Sequence, residues 1–322
     1  MGVGTGFALA AGLMWGLVFV APLMLPGYPA ALQSVGRYLA FGLICVPLAW
    51  LDRGALRQFT KADWWEALKL AAVGNLLYYL LLAGSIQRTG GPLTTMVIGT
   101  LPVVIAIASN LRDAQRDGRL PWRRLMPSLV LIAWGIGLVN HAEWAESPVG
   151  GGMDPAAYVW GALMAVGAAA CWTWYPLRNA DWLRHHPDRS PRVWATAQGV
   201  ATLPLALLGF GVFWVVMGLT NNPFDMPSGP TPVRFWGLML AVGLLASWLG
   251  TLCWNEASQR LPTTLVGQMI VFETLAALVY AYWWRGTWPS PGVLAGVACL
   301  VAGVLWAVRI KPVPVDAEAT PH

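Results

Sequence analysis

Charged residues are scarce in this chain of 322 residues, where they make up only 11% of the total, whereas soluble domains carry about 25%. This shortage excludes an ordinary water-soluble protein, because too little polar surface is available to face water on all sides. Hydrophobic residues make up 57% and recur in runs near the ~20 residues that span ~30 Å of hydrocarbon. The short alternating strands of a membrane β-barrel are missing. We therefore predict an all-α integral membrane protein.

Cysteine and histidine are also rare, with four of each. The cysteines lie in separate apolar runs without a CxxC pair, which indicates neither a disulfide framework nor a zinc site. The sequence contains no GxxxxGK[ST], GxSxG or HExxH motif, so it indicates neither an ATP motor nor a catalytic centre. We expect no cofactor, no metal, no catalytic residue and no nucleic-acid partner.

Ten apolar runs are long enough to cross a bilayer, and short connections join them. Their approximate limits are 4–25, 29–51, 66–86, 91–111, 124–142, 156–177, 193–216, 235–257, 262–284 and 290–308. The chain is thus expected to form ten transmembrane helices, with a linker at 143–155 and a proline-rich, disordered tail at 310–322.

Lysine and arginine predict the orientation, because they are enriched in cytoplasmic loops. With the N-terminus inside, sixteen of the twenty fall on the inner side and three on the outer side, while Arg37 lies within the second span. Both termini and the tail are therefore predicted to be cytoplasmic, and the linker periplasmic.

The two halves of the chain, residues 1–142 and 156–309, resemble each other. SIQRTGGPLTTMVIGTLP at 85–102 aligns with ASQRLPTTLVGQMIVFET at 257–274, with the Gln-Arg pairs offset by 172. Further matches pair Ser128 with Gly296 and Gly135 with Gly303, at an offset of 168, and Trp15 with Trp172. Because each half has five spans, an odd number, the second half must be inverted in the membrane. Two inverted five-helix repeats around a site near the midplane are typical of secondary transporters.

Several motifs resemble the drug/metabolite transporter superfamily, in particular its ten-helix branch with two EamA-type domains. They are GLMWG around Trp15, the RYLAF run that begins at Arg37, Pro102 after GTL, and GVACLVAGV in the last span. Thr274 departs from the Glu-Pro that is frequent in the ninth helix of the family. The resemblance implies a bacterial inner-membrane protein that exports amino acids, other metabolites or toxic compounds.

Glu273 is the one charge in VGQMIVFETLAALVYAYWW, a run of the ninth span. A carboxylate at a helix centre costs ~2.5–3.5 kcal/mol on insertion scales, so such residues usually face a cavity or a partner. Helical rise places Glu273 and Arg37 at similar depths, about 12–13 Å below the outer face. We hypothesise that they approach each other, directly or through water, and that Glu273 serves as a proton-coupling or substrate-amine site. A buried structural ion pair and a lipid-facing carboxyl are the alternatives.

Other polar and aromatic residues near mid-depth are candidates for lining the cargo site. Asn75, Tyr78 and Tyr79 can share one face of the third helix, although hydrogen bonding between helices is the alternative. The full candidate set is Trp15, Arg37, Asn75, Tyr78, Tyr79, Trp172, Trp248, Gln268 and Glu273. Pro102 is a candidate hinge, with a static kink as the alternative.

These observations predict a transporter that exports small metabolites by alternating access, driven by a substrate gradient or by protons. Aromatic and hydrophobic amino acids are the first expected cargo, because the predicted cavity contains Trp and Tyr and few charges. A multidrug exporter of the same fold and a membrane enzyme acting on lipid-borne substrates are the alternatives. The expected partners are the bilayer, a small-molecule substrate and, under the second driving force, protons; a monomer and a homodimer both fit.

Overall fold

The computed structural model of the chain describes residues 2–25, 27–89, 91–112, 120–146, 155–220, 224–311 and 313. Ten helical segments follow the ten predicted spans. They are α1 (Gly2–Met24), α2 (Ala30–Leu51), α3 (Lys61–Leu70, Ala71–Leu77 and Tyr78–Thr89), α4 (Gly91–Gly99 and Leu101–Arg112), α5 (Trp122–Glu146), α6 (Pro155–His185), α7 (Pro191–Leu219), α8 (Pro232–Val242, Gly243–Leu249 and Gly250–Arg260), α9 (Thr263–Met269 and Val271–Arg285) and α10 (Pro291–Val308).

Eight helices in the described part are long and apolar enough to cross a bilayer, and two shorter apolar helices lie at Val97–Arg112 and Pro291–Ala307. The prediction of an all-helical integral membrane fold is confirmed. Most of the predicted linker and tail, residues 147–154 and 314–322, lies outside the described residues.

Two helices extend beyond the predicted spans, because a helix need not end where its apolar run ends. Helix α3 begins at Lys61, where Thr60 accepts a hydrogen bond from the Asp63 amide and the Asp63 carboxylate accepts one from the Thr60 amide. This reciprocal capping box starts the helix in polar sequence. Helix α6 continues to His185, eight residues past the predicted limit of 177.

Helices α4 and α9 are both interrupted near the middle. The break in α4 falls at Thr100, two residues before Pro102, whose ring nitrogen cannot donate a helical hydrogen bond. The break in α9 falls at Ile270, without a proline, and separates Gln268 from Glu273. Pro102 therefore lies at a discontinuity of the backbone, as expected for either a hinge or a static kink.

Helix packing follows a twofold relation between the halves. Three contacts join a helix to its own counterpart in the other half: α2 with α7, α4 with α9, and α5 with α10. Helix α1 packs against α8 and α9, and in the same way α6 packs against α3 and α4. Exchanging α1–α5 with α6–α10 therefore leaves this pattern of contacts unchanged.

Local details repeat the same relation. Helix α3 contains a π-helical stretch at Ala71–Leu77 and α8 contains one at Gly243–Leu249, an offset of 172 at both ends. Between α5 and α10, a Cβ built on Gly135 would lie 2.7 Å from the Gly296 oxygen, and one on Gly296 would lie 2.7 Å from the Gly135 oxygen. Their counterparts at the offset of 168 also meet, since the Ser128 hydroxyl donates to the Gly303 carbonyl at 2.8 Å.

Candidate functional site

Aromatic side chains from both halves meet at the centre of the bundle. Trp15 of α1 and Trp172 of α6, matched in the sequence as counterparts, contact edge to face with ring centroids 5.4 Å apart. Residues beside a twofold axis meet their own counterparts, so this contact places the axis near the two indoles. The site is thus formed where the repeats join.

Three further rings extend this contact into a layered cluster. Trp172 stacks between Tyr78 of α3, at 4.7 Å, and Tyr175 of α6, at 5.0 Å. Trp254 of α8 packs against Trp15 at 5.0 Å. We call Trp15, Tyr78, Trp172, Tyr175 and Trp254 the central aromatic cluster.

Sequence reasoning missed Tyr175 and Trp254. Tyr175 follows Trp172 by three residues, a spacing that places both on one face of a helix and could have identified it. Trp254 gave no such signal, because counting from the span end places it near the inner face.

Four side chains of the cluster or of the candidate set have a buried polar atom without a hydrogen-bond partner: Trp172 Nε1, Trp254 Nε1, Gln268 Nε2 and Glu273 Oε2. A buried polar group without a partner costs about 1–3 kcal/mol, so native structures keep few of them. These donors and the carboxyl oxygen therefore have unused hydrogen-bonding capacity inside the bundle.

Close helix packing positions Glu273. Gly12 of α1 lies against α9, where an added Cβ would be 2.8 Å from Phe272 Cβ and 3.0 Å from the Glu273 amide nitrogen. Small residues of this kind allow two membrane helices to approach closely. The Glu273 side chain is buried, on a helix that packs against α1 and its Trp15.

Arg37 is buried in α2 beside this region. Its Nε donates to the Ser247 hydroxyl at 3.0 Å, and its Cζ lies 4.9 Å from the Tyr38 ring and 5.2 Å from the Tyr79 ring. Arg37 and Glu273 are both described residues, and no direct salt bridge joins them. The two side chains therefore make no direct contact, and the coupling role of Glu273 stays a prediction.

The remaining candidates lie on surrounding contacts. Asn75 Nδ2 donates to Thr202 of α7 at 3.3 Å, and Trp248 Nε1 donates to Thr196 of α7 at 3.2 Å. Gln268 Oε1 accepts from Ser128 at 3.4 Å, at the contact of α5 with α10. Each of these three side chains joins its own helix to a neighbouring one.

Ion pairs join the two halves at the predicted cytoplasmic end. Glu66 of α3 accepts hydrogen bonds from Arg178 of α6, at 2.5 Å from Nε and 3.1 Å from Nη2. Further links between the halves are Asp63 with Trp182 and His186, Asp181 with Arg112, and Asp52 with Arg192. In the described part of the chain, no group of three or more His, Cys, Asp or Glu could hold a metal ion.

The fold and the site define a polytopic membrane protein of two repeats with a polar and aromatic centre. Residues 2–116 match the EamA-like transporter family. The chain is 52% identical over 309 residues to "Inner membrane protein YtfF" of Escherichia coli (strain K12), covering 96% of each chain. The chain therefore belongs to the EamA-like transporter family.

More distant relatives agree with this assignment. "Uncharacterized transporter YwfM" of Bacillus subtilis (strain 168) is 22% identical over 302 residues, covering 93% of this chain and 91% of that protein. A solved crystal structure superposes with a TM-score of 0.69 at 18% identity, covering 94% of this chain and 96% of that chain. This last likeness shows that the fold is shared.

Proposed function

We propose that the chain is an inner-membrane secondary transporter that exports small aromatic or hydrophobic amino acids by alternating access. The observation that carries this proposal is a pair of unpartnered polar atoms near the centre of the bundle. They are Trp172 Nε1, within the Tyr78–Trp172–Tyr175 stack, and Glu273 Oε2, on the helix that packs against α1 and its Trp15. An aromatic side chain would pack against the rings, and an ammonium group would pair with Glu273.

The position of the site supports alternating access. The central aromatic cluster lies where the halves meet, and contacts between the halves are present on both sides of it. On the predicted outer side, the Tyr28 hydroxyl donates to the Ser228 carbonyl at 3.0 Å, and ion pairs lie on the predicted inner side. Rocking of one half against the other would break one set while the other stays intact.

Counterflow in proteoliposomes tests the cargo. Vesicles loaded with unlabelled L-tryptophan should take up labelled L-tryptophan, with uptake that saturates. Trp172→Phe keeps a ring and removes the N–H donor, and we expect KM to rise about fivefold, as for the loss of one hydrogen bond of about 1 kcal/mol. Trp160→Phe is the matched control, because Trp160 lies on the same helix and is 63% exposed. Equal kinetics for the two variants would contradict the proposed site.

Direction and coupling need separate measurements. Cells that overexpress the chain should accumulate less 5-fluorotryptophan and survive higher doses of it. Glu273→Gln should abolish the pH dependence of exchange if the carboxyl carries the coupling proton. An unchanged rate and pH profile would remove that role and leave a substrate gradient as the driving force.

A multidrug exporter is the second candidate, because a carboxyl oxygen beside stacked indole and phenol rings also suits an aromatic cation. Tetraphenylphosphonium exchange without tryptophan exchange would favour it. A chemically altered product would instead indicate a membrane enzyme.

A further inference from the structure

A chain of buried side-chain amides connects the central aromatic cluster to the start of α7. The Tyr175 hydroxyl donates to Gln198 Oε1 at 2.9 Å, and Gln198 Nε2 donates to Asn179 Oδ1 at 3.1 Å. Asn179 Nδ2 donates to Asn255 Oδ1 at 2.8 Å, and Asn255 Nδ2 donates to the Pro191 carbonyl at 3.3 Å. All three amide side chains are at most 1% exposed.

The donor direction of the chain is fixed at Asn179. An indole N–H can only donate, and Trp194 Nε1 lies 2.9 Å from Asn179 Oδ1, so the oxygen of Asn179 must face Trp194. The same oxygen then accepts from Gln198 Nε2, which turns the Gln198 oxygen toward Tyr175. As a consequence, the Tyr175 hydroxyl is required to donate.

The donor direction of this chain is important because the position of the Tyr175 ring is fixed by its packing. It stacks on Trp172 with an interplanar angle of 3°. Its other face lies over the backbone of Gly74, where an added Cβ would be 2.1 Å from Tyr175 Cδ2. The hydroxyl is held by its hydrogen bond to Gln198.

We propose that Asn179 is a positioning residue for the cargo site: through Gln198 it fixes the hydroxyl and the ring of Tyr175 in the stack with Trp172. The proposal rests on the function proposed above, because the stack is the surface against which cargo packs. Asn179 itself touches no cargo in this scheme. Loss of its side chain frees the Gln198 amide to rotate, and Tyr175 loses its oriented acceptor.

Fluorine NMR of protein labelled with 3-fluorotyrosine reads the position of Tyr175 without any cargo. The chain has eight tyrosines, and the Tyr175 resonance is the one that disappears in Tyr175→Phe. We expect this resonance to shift or broaden beyond its linewidth in Asn179→Leu. Gln198→Met breaks the same link one residue closer and is expected to give the same change if Asn179→Leu does not fold.

Asn110→Leu is the matched control. Asn110 is 1% exposed and also makes two hydrogen bonds, to the amide and carbonyl of Leu120 next to α5. Its loss should lower thermal stability and leave the Tyr175 resonance in place. An unmoved Tyr175 resonance in folded Asn179→Leu or Gln198→Met, or an equal change in Asn110→Leu, would overturn the proposal.

Exchange kinetics provide the second readout. With L-tryptophan as the probe, Asn179→Leu should raise KM about tenfold, or about 1.4 kcal/mol, with the maximal rate within about twofold of wild type. Adding Tyr175→Phe should raise KM little further, because both changes break one chain. Multiplying effects would show that Asn179 does not act through Tyr175. Absence of tryptophan exchange by the wild type would refute the proposed cargo, whereas the fluorine spectra would still decide the role of Asn179.

Discussion

Adding one methyl group to Gly135 tests the twofold contact of α5 with α10. A Cβ at this position would lie 2.7 Å from the Gly296 oxygen and 2.9 Å from both Cγ and the amide nitrogen of Leu300. Because comfortable contacts begin near 3.5 Å, the helices must separate by about 0.8 Å. Two of the three atoms belong to backbone, so rotation of a side chain cannot relieve the overlap.

The expected cost follows from two opposing contributions. Overpacking of this kind typically lowers the free energy of unfolding by about 1–3 kcal/mol, whereas replacing a helical glycine by alanine raises it by about 0.5–1 kcal/mol. Gly135→Ala should therefore destabilise the protein by about 0.5–2 kcal/mol. Gly137→Ala is the control two residues away on α5, where nothing lies within 4 Å of an added Cβ, and it should stabilise slightly.

Thermal unfolding of the purified protein in one detergent measures the difference. Gly135→Ala should unfold at a lower temperature than wild type, and Gly137→Ala at an equal or higher one. Gly296→Ala should resemble Gly135→Ala, and the double variant should cost less than the sum, because one separation of the helices relieves both overlaps. Equal midpoints for Gly135→Ala and Gly137→Ala would refute the close contact.

Three further perturbations address the site and the inner end. Gly74→Ala should raise KM for L-tryptophan counterflow about tenfold or more, because the added Cβ would displace the Tyr175 ring, and an unchanged KM would contradict the stack. Thr60→Ala should lower the free energy of unfolding by about 1 kcal/mol through loss of the capping box, while Thr60→Ser should restore most of it. Glu66→Gln should lower the unfolding temperature at low ionic strength. The effect should be smaller at 1 M salt, because the partner Arg178 is partly exposed and salt screens the ion pair. A loss of stability that does not depend on salt would indicate a different cause.

The number and order of helices could be predicted because membrane insertion depends on local composition. Each apolar run had to become a helix, since lipid offers no partner for free backbone groups. The ends of the helices were less predictable, because hydropathy indicates where a helix leaves the bilayer and not where the helix itself ends. In α6, the segment from Arg178 to His185 contains five polar residues yet is helical, and Arg178 and Asp181 form ion pairs at the inner end.

The site could be predicted in part, because depth along a helix is readable from sequence and rotation about its axis is much less so. Trp15 and Tyr78 are expected near mid-depth and lie in the central aromatic cluster, and so does Trp172, which counting along its span places nearer the inner face. Trp248 was expected there on the same grounds, but it faces Thr196 of α7. The π-helical stretch that ends at Leu249 changes the rotation of α8, and apolar patterning gives no sign of it.

Buried amides escaped prediction for a related reason. Counting along α8 places Asn255 at the cytoplasmic rim, yet its side chain is fully buried against Asn179 and Pro191. Polar residues near a span end read as solvated when only one helix is considered. Their burial depends on neighbouring helices that extend equally far, as α6 does here.

The two halves differ in how they treat the indole N–H groups of the related tryptophans, Trp15 and Trp172. Trp15 donates its indole N–H to the Ala246 carbonyl at 2.8 Å, in the π-helical stretch of α8. The equivalent position in α3, 172 residues earlier, is Gly74, and the counterpart of Trp15 is Trp172. There, the Tyr175 ring lies over Gly74, and Trp172 Nε1 has no acceptor. Helix α1 has Val18 three residues after Trp15, where α6 has Tyr175. A tyrosine and a glycine thus distinguish the two related tryptophans: Trp15 is a structural donor, whereas Trp172 keeps an N–H without an acceptor, and the proposed cargo site depends on this asymmetry between the halves.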